Sequence, residues 1–345
     1  GIPYYQVVII AIVPAVLYYL SLFIQVDLQA IKLNLKGLPR EELPSLKETI
    51  VKGWVYFIPI FVLVYTLFIL FLSPGVCAIY SAFTAIIISL LKKNTRSFLT
   101  WGNVLNILQN TNKAMFSSVT VCAGAGFIVG IVSYTGLGLS FSQLLTKLAG
   151  NSLFLLCIFT GIASIILGMG MPTTAAYIML AVLAAPAMVS MGVTPIVAHL
   201  FVFYFGTLSM ITPPVCLSVY AAASIADADY MKIAVQAIKL AIVGYIIPFI
   251  FVYNNGVLLI GSYFTIFSDI FYTILCILLI SFALEGYLIK KLSIVKKLLL
   301  GISGICIVIP LPLVRILGLL LAGVSAGHEL LVNRKSVLSN KNILK

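Results

Sequence analysis

Long apolar runs alternate along this chain with short polar, mostly basic stretches. The runs Tyr4–Ile24, Trp54–Leu72, Val76–Leu91, Val119–Tyr134, Ile233–Tyr253 and Tyr263–Leu284 read as membrane-spanning helices. Asn103–Ser117 is more polar and reads as an amphipathic interfacial helix, as does the short Ser140–Leu148 beyond the breaker at Thr135-Gly136-Leu137-Gly138. Ser73-Pro74-Gly75 marks a tight turn. Two further apolar segments, Asn151–Gly192 and Pro195–Ala226, are interrupted near their centres by "GMGMPTT" (168–174) and "GTLSMITPP" (206–214).

Composition turns this pattern into a class. The chain has 345 residues, is 62% hydrophobic and only 9% charged. That is too little polar surface to cover a soluble domain, so the fold class is an all-α polytopic membrane protein. Uninterrupted apolar runs, rather than alternating ten-residue stretches, favour a helical bundle over an outer-membrane barrel. The net charge of +12 points to no nucleic acid. The basic residues gather at the ends of apolar runs, where they act as cytoplasmic topology signals. The six cysteines all lie in apolar segments without a CxxC pair and read as small buried hydrophobes.

The charged loop Asp27–Lys52, the Lys92, Lys93, Arg96 cluster and Lys290, Lys291, Lys296, Lys297 belong on one side of the bilayer. They do so only if Asn151–Gly192 enters and leaves by the same, outer face. Its limbs, Leu153–Leu167 and Thr174–Val189, are each roughly 22 Å long as helices. The hydrocarbon core is ~30 Å thick. The expected element is a re-entrant hairpin over 151–192, followed by a broken helix over 195–226. The tail Leu298–Leu331, with Pro310 and Pro312, fits one broken span or a second re-entrant pair.

Non-helical backbone at membrane depth is tolerated only where protein buries it or a wet cavity faces it. Two breaks about 40 residues apart are the pattern of a transporter's binding site. Gly168 and Gly170 free carbonyls to turn out of the helix, and Pro172 suits the first turn of the second limb. Thr173 and Thr174 put hydroxyls at that helix N-terminus, where unpaired N–H groups favour an anion. Thr212 is placed to cap a half-helix starting at Pro213-Pro214, and Gly206, Thr207 and Ser209 precede it. No charged residue lies between Lys147 and Asp227. A carbonyl-and-hydroxyl cage of this kind suits Na⁺, with an anionic substrate on the helix N-termini. Packing kinks are the alternative reading.

Other residues read as structural. His199 is a satisfied interior histidine, the aromatic run 201–205 is packing, and Asp227 and Asp229 cap the next helix. Asp269 and Glu285 sit near span ends in solvated roles, and Arg315 snorkels or pairs with Glu329. An intramembrane enzyme is disfavoured, because no HExxH, GxSxG or carboxylate pair lies within the spans.

The stretch "LGMGMPTTAAYIMLAVLAAPAMVSMGVTPIVAHLFVFYFGTLSMITPPVCLSVYAAASIADAD" (167–229) resembles the second repeat of the large membrane subunit of tripartite ATP-independent periplasmic (TRAP) transporters. "VPAVLYYLSLFIQVDLQA" (13–30), "GLPREELP" (37–44) and "PFIFVYNNGVLLIG" (248–261) resemble the subgroup with fused small and large subunits, which works with TAXI-type binding proteins. The resemblance covers roughly residues 1–261. It implies an ion-transporter-type inverted-repeat elevator fold, of which this chain holds the second repeat. It also implies Na⁺-driven uptake of a small organic acid delivered by an extracytoplasmic substrate-binding protein. Carried onto this sequence, the Na⁺ positions are Gly168, Met171, Thr173, Gly206, Thr207, Ser209, Thr212 and Pro213. The substrate positions are Thr173, Thr174 and Thr212.

The expected organisation has four parts. Residues 1–52 are the last helix after a first repeat plus a cytoplasmic loop, and 53–135 are membrane helices with the interfacial helix. Residues 136–261 are the transport-domain part, and 262–345 are a hydrophobic C-terminal extension. The chain opens at Gly1 without Met, and the expectation is a fragment whose first repeat precedes it. The expected protein is a multi-pass permease of the cytoplasmic (inner) membrane, with the bilayer as its solvent, Na⁺ as coupling ion and no organic cofactor. A non-coupled, channel-like component is the alternative.

Overall fold

The computed structural model describes residues 2–39, 41–96, 100–288 and 290–325. Among the described residues the regular structure is helical, apart from an isolated bridge between Tyr287 and Lys291. Seven helical stretches are long and apolar enough to cross a membrane. Their outward residues are apolar too, as Phe127 at 75% exposure shows. A helix apolar on every face requires lipid or protein around it. The all-α polytopic class therefore holds.

The chain forms two compact units, the first comprising residues up to Ile10 and Lys36–Thr120. It contains the start of α1 (Tyr4–Lys32), then α2 (Leu46–Gly53), α3 (Ile58–Phe68), α4 (Pro74–Leu91), α5 (Lys93–Arg96) and the start of α6 (Trp101–Thr135). The Ser45 hydroxyl accepts the Glu48 amide and opens α2, which passes through a 3-10 turn, Trp54–Phe57, into α3. The second span thus begins at Leu46, earlier than the apolar run alone indicates. Ser73-Pro74-Gly75 turns the chain as expected, and the Ser81 hydroxyl donates to the Pro59 carbonyl at 2.8 Å to tie α4 to α3. The Lys92 ammonium donates to the Lys52 carbonyl at 2.6 Å and lies 4.1 Å from the Tyr56 ring centroid.

Two further boundaries differ from the sequence reading. Helix α1 continues to Lys32, so the charged stretch from Asp27 starts on a helix. Its polar face has a partner, since the buried Gln25 amide donates to the Leu240 carbonyl at 3.0 Å. Residues 103–117 and 119–134 are not separate elements but one helix, α6. The polarity changes there, but no glycine or proline lies between Asn103 and Ser118 to end the helix.

The second unit comprises Ala11–Leu35 and the chain from Val121. Gly136, at φ +67°, ends α6 and opens α7 (Leu137–Ala149). Then follow α8 (Leu153–Gly168), α9 (Thr173–Leu183), α10 (Ala185–Ser190), α11 (Pro195–Leu208), α12 (Leu217–Ala226), α13 (Tyr230–Tyr253) and α14 (Tyr263–Glu285). The core centres on α11, whose Val197, Ala198, Phe201, Val202 and Phe205 are buried. Phe201 and Phe205 meet Phe249 edge-on, at 5.7 and 5.9 Å between ring centroids. Tyr204 donates to the Pro14 carbonyl at 3.1 Å. The aromatic run is packing, as expected. His199 Nδ1 lies 3.1 Å from the Tyr177 hydroxyl and is satisfied.

Several polar residues depart from expectation. Asp229 caps α13 by accepting the Lys232 amide at 2.9 Å, but Asp227 ends α12 in a left-handed conformation instead. Asp269 and Glu285 are buried rather than solvated, at 7% and 2% exposure. Asp269 accepts the Gly256 amide at 3.1 Å, and Glu285 pairs with Lys239 at 2.7 Å. Their burial follows from packing of α14 against α13 and the turn after it, which supplies each carboxylate with a donor. Cys122 is exposed, not buried, although no cysteine here is bonded to another.

The tail resolves into α15 (Ile294–Val308) and α16 (Pro312–Ser325). Ser303 donates to the Gly318 carbonyl at 2.5 Å, and Arg315 Nε to the Ile307 carbonyl at 3.1 Å. These bonds fold the two helices back on each other as a hairpin. Glu329, the expected partner of Arg315, lies outside the described residues.

Candidate functional site

The site is built where the two breaks meet. Helix α8 starts at Ser152, whose hydroxyl accepts the Leu155 amide at 3.3 Å, and stops at Gly168. Gly170 turns the chain at φ +76°, and α9 starts at Thr173 with Pro172 as its N-cap residue, one position earlier than expected. The limbs 153–168 and 173–190 therefore flank a tip of four residues. Pro172 fixes the turn without leaving an amide unpaired.

The other break begins after Leu208. Thr212 does not cap the second half-helix, which starts at Leu217 and not at Pro213. Its hydroxyl donates back to the Leu208 carbonyl at 2.6 Å and bonds the Tyr245 hydroxyl at 2.7 Å. The segment after it, with Pro213-Pro214 cis, stays non-helical. The Tyr230 hydroxyl lies 3.2 Å from the Pro214 carbonyl, 3.3 Å from that of Val215 and 2.7 Å from Cys216 Sγ. One phenol therefore holds three successive residues of the break.

Tip and break touch at three points. A Cβ at Gly168 would lie 2.8 Å from Ser209 Oγ and 3.2 Å from the Gly206 carbonyl oxygen. The Thr173 hydroxyl donates to Met210 Sδ at 3.5 Å. A Cβ at Gly170 would lie 3.8 Å from Val215 Cγ1. Gly206 is pressed as closely from the other limb, since a Cβ there would lie 2.8 Å from Leu180 Cδ1. Glycine at 168 is what lets the two backbones approach, whereas the Leu180 methyl at Gly206 is a side-chain end that can shift.

The chemistry offered is neutral oxygen and free amide. The carbonyls of Met169, Gly170 and Met171 at the tip, and of Ile211, Thr212 and Pro213 in the break, accept no hydrogen bond among the described residues. At the start of α9, Ala176 is the first amide to find an acceptor, at Pro172. The amides of Thr173, Thr174 and Ala175 remain as donors at a positive helix end. Free carbonyls can hold a hard monovalent cation, and the amides a carboxylate. Among the described residues no cluster of His, Cys, Asp or Glu has the makings of a transition-metal site.

The nine sequence-derived positions fall into groups. Gly168, Gly206 and Ser209 are buried together, and Ser209 donates to the Gly206 carbonyl at 2.6 Å. Thr173, Thr212 and Pro213 are half-buried beside them. Met171 packs with Leu167 on the apolar cluster of Val132, Met179 and Leu183. Thr174 is exposed. Thr207 is also exposed, and its hydroxyl is used on the Phe203 carbonyl at 2.9 Å, apart from the Gly168 contact.

Sequence reasoning did not single out Tyr245, Tyr230 or Met210, which hold the break in place. Both tyrosines come from α13, outside either motif, and nothing in their spacing pairs them with the break. Ser164, one turn before Gly168 on α8, is fully buried with no hydrogen-bond partner.

A family model described as "Tripartite ATP-independent periplasmic transporter, DctM component" matches residues 1–266. No curated protein and no solved structure matches the chain. The match contains both breaks and stops early in α14, leaving the C-terminal hairpin beyond it. The chain belongs to the DctM family of TRAP transporters and is a multi-pass membrane permease, not an enzyme.

Proposed function

We propose that this permease imports small organic acid anions, delivered by an extracytoplasmic substrate-binding protein, across the cytoplasmic membrane in symport with Na⁺. The observation that carries the reading is the contact of Gly168 with Ser209 and the Gly206 carbonyl. It joins two charge-free breaks into one cluster of carbonyls and hydroxyls. Na⁺ would be held by carbonyls of the tip and break with the hydroxyls of Thr173, Ser209 and Thr212. The substrate carboxylate would sit on the free amides at the start of α9, with Thr173 and Thr174. Thr207, its hydroxyl already donated to Phe203, would contribute through its carbonyl alone.

In this reading 151–192 is re-entrant. Its first limb, α8, is roughly 24 Å long, short of the ~30 Å core. The second limb, Thr173–Ser190, reaches spanning length only by continuing past Ala184 into α10. The hairpin moves as part of an elevator, and the fused, TAXI-associated subgroup is the proposed type. The test is uptake of labelled organic acid by the full-length permease with its binding protein, with and without a Na⁺ gradient. Uptake that ignores Na⁺ sinks the coupling. Flux far above carrier rates favours the channel-like alternative.

A further inference from the structure

The C-terminal hairpin carries a cation that the transport reading does not use. Arg315 lies near the start of α16, where Nε donates to the Ile307 carbonyl at 3.1 Å and Nη2 to Asn254 Oδ1 at 3.2 Å. The guanidinium stands 4.2 Å from the Tyr272 ring centroid. Asn254 is buried and committed on its other side, its amide donating to the Val308 carbonyl at 2.7 Å. Among the described residues the ion pairs are Lys52–Glu48 and Lys239–Glu285, so no carboxylate reaches Arg315. Asp269 is buried, and its carboxylate is bound to the Gly256 amide. A guanidinium has five N–H donors, and only two are engaged here. The remaining N–H groups can take a further acceptor, and a phosphate presents several.

Two cavities share Pro310 as a wall residue; Arg315 lines the smaller and its partner Asn254 lines the larger. One, of about 300 Å³, is lined by Arg315, Tyr272 and Leu319. The other, of about 540 Å³, has almost wholly apolar walls from Phe154, Tyr245, Phe249, Tyr253, Ile305 and Ile309. A basic compartment next to an apolar one fits an amphiphile with an anionic head. A free anion would leave the larger cavity unfilled, and a zwitterionic lipid would bring its own cation beside the guanidinium.

We propose that this site binds a phospholipid of net negative charge, its phosphate on Arg315 and one acyl chain along α13 and α15. The site bears on transport because Tyr245 lines the apolar cavity while its hydroxyl bonds Thr212 in the helix break. Phe154, which also lines it, belongs to the first limb of the candidate hairpin.

The test is native mass spectrometry of the purified, delipidated full-length permease titrated with phosphatidylglycerol or phosphatidylcholine of identical chains. The wild type should retain phosphatidylglycerol at least fivefold more than phosphatidylcholine. Arg315→Gln should remove that preference and Arg315→Lys keep part of it. Ile305→Trp fills the apolar cavity with the cation intact and should lower retention of both lipids. Soluble glycerophosphate at equal concentration should not displace the lipid. Equal retention of the two lipids by the wild type, wild-type preference in Arg315→Gln, or undiminished retention in Ile305→Trp would each overturn the assignment. Displacement by glycerophosphate would do the same.

Discussion

Gly168 and Ser209 are in contact across the two breaks, at a separation no side chain at 168 could share. A Cβ there would sit 2.8 Å from Ser209 Oγ, and the Gly206 carbonyl behind it is main chain that cannot swing aside. Gly168→Ala should therefore push the hairpin tip off the break. Overpacking of this kind costs ~1–3 kcal/mol. The expected result is a folded permease with a lowered melting temperature and at least tenfold less Na⁺-dependent uptake. Unchanged uptake would mean that the close approach is packing alone.

The Thr212–Tyr245 hydroxyl pair makes a second prediction. A neutral hydrogen bond contributes ~0.5–1.5 kcal/mol net. Thr212→Val and Tyr245→Phe should each lower stability by about that much, and the double variant by less than their sum. Thermal unfolding in detergent reads the coupling. Strict additivity would show that the 2.7 Å contact does not hold the break.

Thr173 separates a hydroxyl role from a helix-start role. Thr173→Val keeps the β-branched shape and loses the oxygen, so the Na⁺ response of uptake should weaken greatly while the fold survives. Thr173→Ser should restore most of it. Thr212→Val should weaken the response likewise. A wild-type Na⁺ dependence in both valine variants would remove these hydroxyls from the cation site.

The Lys239–Glu285 pair ties α14, mostly outside the family match, to α13 inside it. Glu285 is almost fully buried, and Lys32 donates to its carbonyl at 3.2 Å. Removing one partner of a buried pair costs about 3–5 kcal/mol, with the lower end expected because the Lys239 side chain is 28% exposed. Lys239→Met should be clearly destabilised, and adding Glu285→Leu should recover much of the loss. A double variant no better than the single would show that the pair is not what joins the helices.

Much of this protein was legible in the sequence because membrane helices leave strong one-dimensional signals. Apolar runs, basic flanks and Gly-Pro interruptions placed most helices and both breaks within a few residues. The hairpin limbs at 153 and 173 and the stop after Leu208 follow from local chemistry, since Gly and Pro act on their own backbone. The expectations that failed were about polar residues and helix extents. Polarity distinguishes Asn103–Ser117 from the apolar run after it, but polarity does not by itself break a helix. Position near span ends suggests solvent for Asp269 and Glu285, whereas burial depends on what packs there.

What the sequence by itself determined is the class, the two breaks and the neutral chemistry they offer. Only the tertiary structure decided that Gly168 lies on Ser209, that Tyr245 and Tyr230 hold the break, and that the tail folds back as a hairpin around Arg315. These are contacts between residues 16 to 61 positions apart or between successive helices. A hydrophobic pattern tells a helix which environment it needs, but in a chain apolar on nearly every face it does not say which face meets which neighbour.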